Sequence, residues 1–233
     1  MSAIFKREMR AYFTSPLGYI QLALSILFSG IYFYTYYSYG YPGSEYITVN
    51  ASIILIIIIP INTMRLMSED KRQKIDQALL TAPVKISEII MGKFLAALTM
   101  LFICNAILIV YQIIFSCYVT LNWLIFINGF FNLMLLCAAL IALGMFISSL
   151  TESTAISFIL TMVSCFLVMF FSQLVSMLNV SWLTEIAKFF DFYERFSTSS
   201  SGVFDLANFV FFISFTALFL FLSARSLEKK RWA

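Results

Sequence analysis

The sequence predicts an all-α membrane protein with six transmembrane helices, and three observations support that fold class. The 233 residues are 61% hydrophobic and only 12% charged, whereas soluble domains average about half apolar and about a quarter charged. Six apolar segments each approach or exceed the roughly 20 residues that a helix needs to cross a bilayer. Positive charge is concentrated at one set of their ends. The segments lie at about 17–39, 49–67, 91–118, 122–150, 154–178 and 206–225.

The distribution of Lys and Arg predicts the orientation of these segments. All but two of the 15 basic residues lie before the first segment, in or beside the loop between the second and third, or at the end of the sixth. The exceptions are Lys188 and Arg195, which fall on the opposite side. Because basic residues that flank membrane segments stay in the cytoplasm, both termini and the loop 65–93 are predicted to be cytoplasmic.

Residues 1–15 are predicted to form an amphipathic helix on the inner membrane surface. Its apolar residues approach helical spacing and its basic residues form the opposite face, a pattern typical of interfacial helices. The apolar set is Ile4, Phe5, Met9, Tyr12 and Phe13, and the basic set is Lys6, Arg7 and Arg10. Pro16 and Gly18 then favour a turn into the membrane.

Pro60 predicts a kink in the second segment. Proline cannot donate a backbone hydrogen bond, so a carbonyl near Ile56 is expected to be unpaired. Asn62 and Thr63 lie close enough in sequence to pair with the freed groups.

The region 66–90 carries the densest charge of the chain. Within it, 66–80 places apolar residues at intervals among the charges, which predicts a helix with one apolar side that ends before Ala82 and Pro83. Such a helix is suited to docking in a groove of a cytoplasmic partner. A solvated loop is the alternative.

The region 179–205, on the opposite side, mixes charged and aromatic residues. We expect it to form short amphipathic helices that dip into the outer interface. The chain as a whole shows no repeat or linker, so a single domain over 1–233 is predicted.

The interior of the apolar segments is predicted to be free of charged side chains. Carriers that are coupled to ions usually need charges at membrane depth, so self-powered transport is disfavoured. The chain has no His and no G-x-x-x-x-G-K-[ST] pattern, and we therefore predict no catalytic residue and no metal site. Cys104, Cys117, Cys137 and Cys165 all lie in apolar segments and are expected to be core thiols.

Eight stretches form a specific pattern through their order and spacing. They lie at 5–8, 12–19, 63–72, 79–84, 92–94, 144–151, 201–205 and 226–232. Together they resemble the integral-membrane permease subunits of ABC-2 type exporters, and more narrowly the branch that includes the gliding-motility permeases.

The resemblance implies a six-helix fold of the ABC-2 (type V) exporter kind, in a bacterial plasma membrane. Such a permease pairs with a second permease subunit as a homo- or heterodimer, contacts membrane lipids and binds no nucleic acid. Each half docks a separate ABC ATPase subunit, which holds the ATP and Mg, so the chain itself needs no cofactor and is not an enzyme. The implied function is export of a substrate with energy from that ATPase.

The resemblance also assigns roles to particular residues. The ATPase-coupling helix would contain Glu69, Asp70, Lys71, Arg72, Asp76, Leu79 and Leu80. The interfacial helix matches the connecting helix of the family and contributes Lys6, Arg7 and Arg10. The extracellular re-entrant region would contain Glu194, Arg195, Gly202 and Asp205.

Three other functions stay open at this point. A membrane anchor or scaffold of a motility or surface machine could have the same fold and still bind an ATPase. An intramembrane enzyme is disfavoured because His and buried carboxylates are missing, and a secondary carrier is disfavoured because buried charge is missing. The substrate could be a peptide, lipid, drug or polysaccharide.

Overall fold

The computed structural model describes residues 1–39, 44–73, 85–118, 120–177, 191–200, 202 and 205–231. The regular elements of these residues are all helices. In chain order they are α1 (Ser2–Thr14), α2 (Pro16–Ser38), α3 (Ser44–Thr63), α4 (Ser68–Arg72), α5 (Ile86–Asn105), α6 (Ile107–Ser116), α7 (Trp123–Leu150), α8 (Thr154–Ser176), α9 (Phe192–Ser200) and α10 (Leu206–Arg231).

Among the described residues, six helical stretches are long and apolar enough to cross a membrane, which confirms the predicted fold class. They are Pro16–Ser38, Ile47–Arg72, Ile86–Ser116, Trp123–Leu150, Thr154–Ser176 and Leu206–Lys229. Their positions agree with the six apolar segments to within about five residues at most ends, because continuous hydrophobicity over a bilayer's thickness is a strong local signal.

Helices α3 and α7 form the centre of the bundle. About two-thirds of the apolar window is buried in each, compared with about one-fifth in α2, α8 and α10. Gly144 of α7 permits the close approach of α3, since a Cβ at this position would lie 2.4 Å from Thr63 Oγ1. Small residues at such crossings let helix backbones pack closely within a membrane.

The third span contains a break and α3 contains a proline. The third span breaks at Ala106, between α5 and α6, where the neighbouring Cys104 carbonyl accepts a hydrogen bond from Ser25 of α2 at 2.8 Å. Pro60 lies inside α3 as predicted, and the Asn62 and Thr63 side chains donate to carbonyls other than that of Ile56. Thr63 donates to the Ile59 carbonyl at 2.9 Å, and Asn62 reaches across to Ala97 of α5 at 3.0 Å.

The bundle has two chemically different ends. At one end, which we call the basic end, α1, α4 and the start of α5 meet the last turns of α7 and α10; Ser226, for example, donates to the Ser149 carbonyl at 3.3 Å. At the opposite end α9 packs on α7, where Asn128 donates to the Ser199 carbonyl at 2.7 Å. The contacts confirm that the first and last helices share one end of the bundle with α4.

Candidate functional site

Helix α4 is attached to the C-terminal end of α7. The Ser148 hydroxyl accepts hydrogen bonds from the backbone N–H groups of Met67 at 3.2 Å and Ser68 at 3.1 Å, which lie at the start of α4. The buried Lys71 donates to the carbonyl of Ser149. The last carbonyls of a helix have no partner within it and carry partial negative charge, so a lysine at this position stabilises the end of α7.

The buried Lys93 forms the centre of a group of four charged residues, which we call the Lys93 cluster: Arg7, Glu8, Asp70 and Lys93. The Lys93 side chain is only 1% exposed, and its Nζ lies 2.7 Å from Asp70 and 3.0 Å from Glu8. The same amine donates to the Leu66 carbonyl. Because Glu8 lies on α1, Asp70 on α4 and Lys93 on α5, the cluster joins three helices.

Arg7 completes the charge balance of the Lys93 cluster. Its guanidinium lies 2.6 Å from Glu8 and 3.1 Å from Asp70, so two cations face two carboxylates. Burial by itself lowers the pKa of Arg7, but its hydrogen bond to Glu8 and the charges of Asp70 and Glu8 outweigh burial and raise that pKa above its ordinary value. Arg7 is therefore a fixed positive charge at neutral pH.

Helix α1 packs on the bundle through its apolar face. Ile4 is buried against Gly92 of α5, and Tyr12 is buried with its hydroxyl donating to the Asn62 carbonyl at 3.0 Å. Burial is the main cause that raises the pKa of Tyr12, so this phenol remains a neutral donor. Arg65 donates to Ser15 at 2.7 Å and ties the end of α1 to the turn before α4.

At the opposite end, α9 is capped and inserted into the bundle. Asp191 Oδ1 accepts the N–H of Glu194 at 2.8 Å, which caps the helix start. Phe196 and Ser200 are fully buried on its inner face. Arg195 donates to Asn208 of α10 at 2.8 Å, so α9 and α10 are joined as well.

A family model for the ABC-2 type transporter matches residues 1–190, which include every element from α1 to α8. The chain belongs to the ABC-2 type transporter family. No curated protein matches it. Members of this family are the membrane components of transporters, are generally not catalytic themselves and generally partner an ABC ATPase subunit. The family and the six apolar helices establish an integral membrane protein of the transporter permease class.

In this ABC-2 permease, the residues predicted for ATPase coupling have different environments. Glu69 is partly exposed and lies 3.4 Å from Arg65, Asp70 belongs to the Lys93 cluster, Lys71 is buried, and Arg72 is exposed. Asp76, Leu79 and Leu80 lie outside the described residues. The predicted helix over 66–80 is only partly matched by α4, which begins at Ser68 after a turn at 64–67 and ends at Arg72. Residues 74–80 lie outside the described part of the chain.

The residues predicted for the interfacial helix and the re-entrant region are also located. Lys6, Arg7 and Arg10 are all on the exposed side of α1, while Phe13, predicted for the apolar face, is exposed as well. In the re-entrant region, Glu194 is exposed and Asp205 Oδ1 accepts the N–H of Ala207 at 2.9 Å. Gly202 has a φ of +98°, which a side chain would strain. Of the stretch 179–205, residues 179–190, 201, 203 and 204 lie outside the described residues.

The prediction that the apolar segments contain no interior charge is wrong for Lys93. This residue lies in the second turn of α5 and is nearly fully buried. The sequence placed it at the edge of the third segment, where a lysine can extend to water. The sequence contained one indication that Lys93 could be buried: Glu8 and Asp70 are carboxylates on predicted amphipathic helices and could pair with it. Their proximity to Lys93, however, depends on the packing of α1 and α4.

Proposed function

We propose that this ABC-2 permease is the membrane-spanning half of an exporter, driven by a separate ABC ATPase that binds at the basic end. One observation carries the proposal: α4 is bonded to α7 through Lys71 and Ser148, and to α1 and α5 through Asp70. A force that displaces α4 therefore acts on three other helices at once.

The hydrogen bonds and ion pairs that join α4 to its neighbours would transmit a displacement of α4 to those helices. Lys71 and Lys93 are nearly fully buried, and separating a buried charge from its partners is costly because water cannot replace them. Moving α4 as a unit with its partners therefore costs less than detaching it. ATP and Mg would bind in the ATPase, and the cycle of that subunit would shift the bundle through this connection.

The surface that would contact the ATPase combines the exposed part of α4 with the residues that follow it. Arg72 and Gln73 are exposed at the end of α4, and the sequence continues with Asp76, Leu79 and Leu80. Glu69 contributes a partly exposed carboxylate. Asp70 and Lys71 lie on the inner side of α4, and their role would be to hold α4 to the rest of the permease.

The placement of charge supports a cytoplasmic basic end, and the resemblance to ABC-2 exporters implies a bacterial plasma membrane. With this orientation α1 would lie at the inner membrane surface, where Lys6 and Arg10 could reach lipid phosphates. The exposed apolar faces of α2, α8 and α10 would contact lipids and a second permease subunit, in a homo- or heterodimer.

A crosslinking experiment tests ATPase docking. A photoreactive amino acid replaces Arg72 or Gln73 in cells, and crosslinked partners are identified by mass spectrometry. We expect an ATP-binding cassette subunit at both positions. The matched control is Thr198, an exposed position on α9 at the opposite end, where no ATPase should be captured. Capture at Thr198 alone would contradict the proposal.

A second experiment separates export from scaffolding. Leu79 and Leu80 are both replaced by Asp, and Leu206→Asp serves as an exposed apolar control at the opposite end. We expect the double variant to lose co-purification of the ATPase and ATP-dependent efflux of cargo from right-side-out vesicles loaded with ATP, and the control to keep both. Unchanged co-purification and efflux in the double variant would reject docking at this surface. ATPase binding without any ATP-dependent efflux in the wild type would favour the scaffold.

A further inference from the structure

The third span is broken into two helices, although its sequence contains no residue that usually breaks a helix. α5 ends at Asn105, α6 begins at Ile107, and Ala106 between them belongs to neither. Residues 101–111 contain no proline and no glycine, the residues at which sharp kinks commonly occur. The remaining cause of such a break is a side chain that bonds to the helix backbone.

The backbone hydrogen bonds at the break form a tight turn. The N–H of Ala106 is shared between the carbonyls of Phe102 at 2.9 Å and Ile103 at 3.3 Å. The N–H of Ile109 bonds to the Ala106 carbonyl at 3.1 Å. Two of these bonds join residues that are three apart, which is the 3₁₀ pattern, and a short 3₁₀ segment inside a longer helix often marks a hinge.

Ser25 of α2 supplies a side-chain hydrogen bond at the break. It is buried, and its hydroxyl donates to the Cys104 carbonyl at 2.8 Å. Asn105 supplies a second side-chain donor, to the Leu101 carbonyl at 2.9 Å. Water cannot satisfy a freed carbonyl in the bilayer core, so a break in a spanning helix needs donors of this kind. Because Ser25 belongs to another helix, the break depends on the position of α2.

The two halves of the third span are held by different parts of the bundle. The Lys93 cluster joins α5 to α1 and α4 at the basic end. α6 instead packs on α2, where the Phe33 ring centre lies 4.6 Å from that of Tyr111 and 4.7 Å from that of Phe115. A tilt of α5 that begins at the basic end can therefore be taken up at Ala106 without displacing α6.

We propose that the third span is a conditional joint. The Ser25 hydroxyl holds the span broken at Ala106, and the span becomes one continuous helix when Ser25 withdraws from the Cys104 carbonyl. A proline would make the break permanent, whereas a hydrogen bond from a neighbouring helix can form and separate as the bundle changes shape. The joint lets the basic end move while α6 stays with the outer part of α2.

Distance measurements on the permease alone, in nanodiscs without ATPase or nucleotide, test the joint independently of the proposed energy coupling. In a Cys117→Ser background the other three cysteines are buried, and spin labels are attached at Met91→Cys on α5 and Ile113→Cys on α6, two exposed positions. Double electron–electron resonance gives the distribution of the distance between the labels. A continuous helix would separate the two Cα atoms by about 33 Å, and a broken one by less.

Ser25→Ala removes the donor from α2 and should lengthen the mean distance between the labels. The matched control is Ser29→Ala, because Ser29 is also buried on α2 but its hydroxyl donates to the Ser25 and Ile26 carbonyls of its own helix. This control should keep the wild-type distribution. Hydrogen–deuterium exchange is the second readout: the amides of residues 107–109 should exchange about three- to tenfold more slowly in Ser25→Ala, since a continuous helix protects them.

The direction of both changes separates a joint from a merely stabilising contact. A hydrogen bond that only stabilised the bundle would leave faster exchange when it is lost, whereas a joint that closes leaves slower exchange. An unchanged or shorter mean distance in Ser25→Ala would overturn the proposal, and so would exchange at residues 107–109 that is not slower than in the wild type. An equal lengthening in Ser29→Ala would show that the hydrogen bond to Cys104 is not the cause.

Discussion

At the scale of single residues, Lys93 shows how a membrane bundle accommodates a buried charge. Its amine has Glu8, Asp70 and the Leu66 carbonyl as partners, so every hydrogen-bond donor of the ammonium group can be used. Desolvating such a group is costly, and the paired carboxylates offset that cost only while all partners are in place.

Lys93→Met is expected to destabilise the permease strongly. The substitution leaves Glu8 and Asp70 with only Arg7 as counter-charge, and the loss in the free energy of unfolding should be about 3–5 kcal/mol. Chemical denaturation in mixed micelles measures it. Lys6→Met, at an exposed position of α1, is the matched control and should change stability by less than about 0.5 kcal/mol.

The double variant Lys93→Met, Asp70→Asn provides a further check. It should recover part of the stability lost in Lys93→Met, because it removes one of the carboxylates left without a partner. If Lys93→Met were as stable as Lys6→Met, the buried ion pairs would have no energetic role.

At the scale of elements, α4 owes its position to α7. A helix of five residues has too few internal hydrogen bonds to be stable alone. Ser148 supplies an acceptor for two of its unpaired N–H groups, and Lys71 pairs with a carbonyl of the α7 end. The start of α4 is therefore defined by another helix rather than by its own sequence.

Ser148→Ala should loosen α4 without unfolding the bundle. The amides of Met67 and Ser68 would lose their acceptor, and their hydrogen exchange should accelerate about three- to tenfold. Hydrogen–deuterium exchange with mass spectrometry measures the peptide that covers α4. Ser226→Ala is the control, since Ser226 contacts the Ser149 carbonyl and no backbone amide of α4. Equal exchange in both variants would show that Ser148 does not hold α4.

The close packing at the corner, the turn that joins α1 to α2, requires a glycine at position 18. A Cβ at Gly18 would lie 2.2 Å from the Tyr12 carbonyl oxygen, a backbone atom that cannot move away alone. Gly18→Ala should therefore displace α1, break the Tyr12–Asn62 hydrogen bond and cost about 1–3 kcal/mol. A lower melting temperature and faster proteolysis of α1 would report this change.

Gly30→Ala is the matched control for the corner. Gly30 lies in the same helix, but its added Cβ would meet only the Tyr111 hydroxyl, at 3.3 Å. Because alanine favours helix, we expect Gly30→Ala to be neutral or slightly stabilising. If Gly30→Ala lost as much stability as Gly18→Ala, the close approach of Gly18 to the Tyr12 carbonyl would not explain the loss.

At the scale of the whole molecule, charge divides the bundle into two ends that face different compartments. The basic end contains α1, α4 and the end of α10, and the opposite end contains α9 with its carboxylates. Because positively charged flanks are retained in the cytoplasm, the basic end is expected inside. ATPase docking at α4 would then occur on the cytoplasmic side of the membrane.

Cysteine labelling tests this orientation. In a Cys117→Ser background, which removes the cysteine that is exposed, Glu194→Cys and Glu152→Cys place one reactive thiol at each end. A membrane-impermeant maleimide should label Glu194→Cys in intact cells and Glu152→Cys only in inverted vesicles. The reverse result would place α4 outside the cell, where no ATP-driven partner could bind it.

Properties that are local in the sequence were predictable for this permease. The number of spans, the shared end of the first and last helices, and the amphipathic character of α1 follow from hydrophobic length and from the order of charges along the chain. None of these properties depends on which helices contact each other. The direction in which Asp70 and Lys71 point and the burial of Lys93 required the tertiary structure. Each depends on residues far apart in sequence, such as Glu8, Asp70 and Lys93, that only helix packing brings within hydrogen-bond distance.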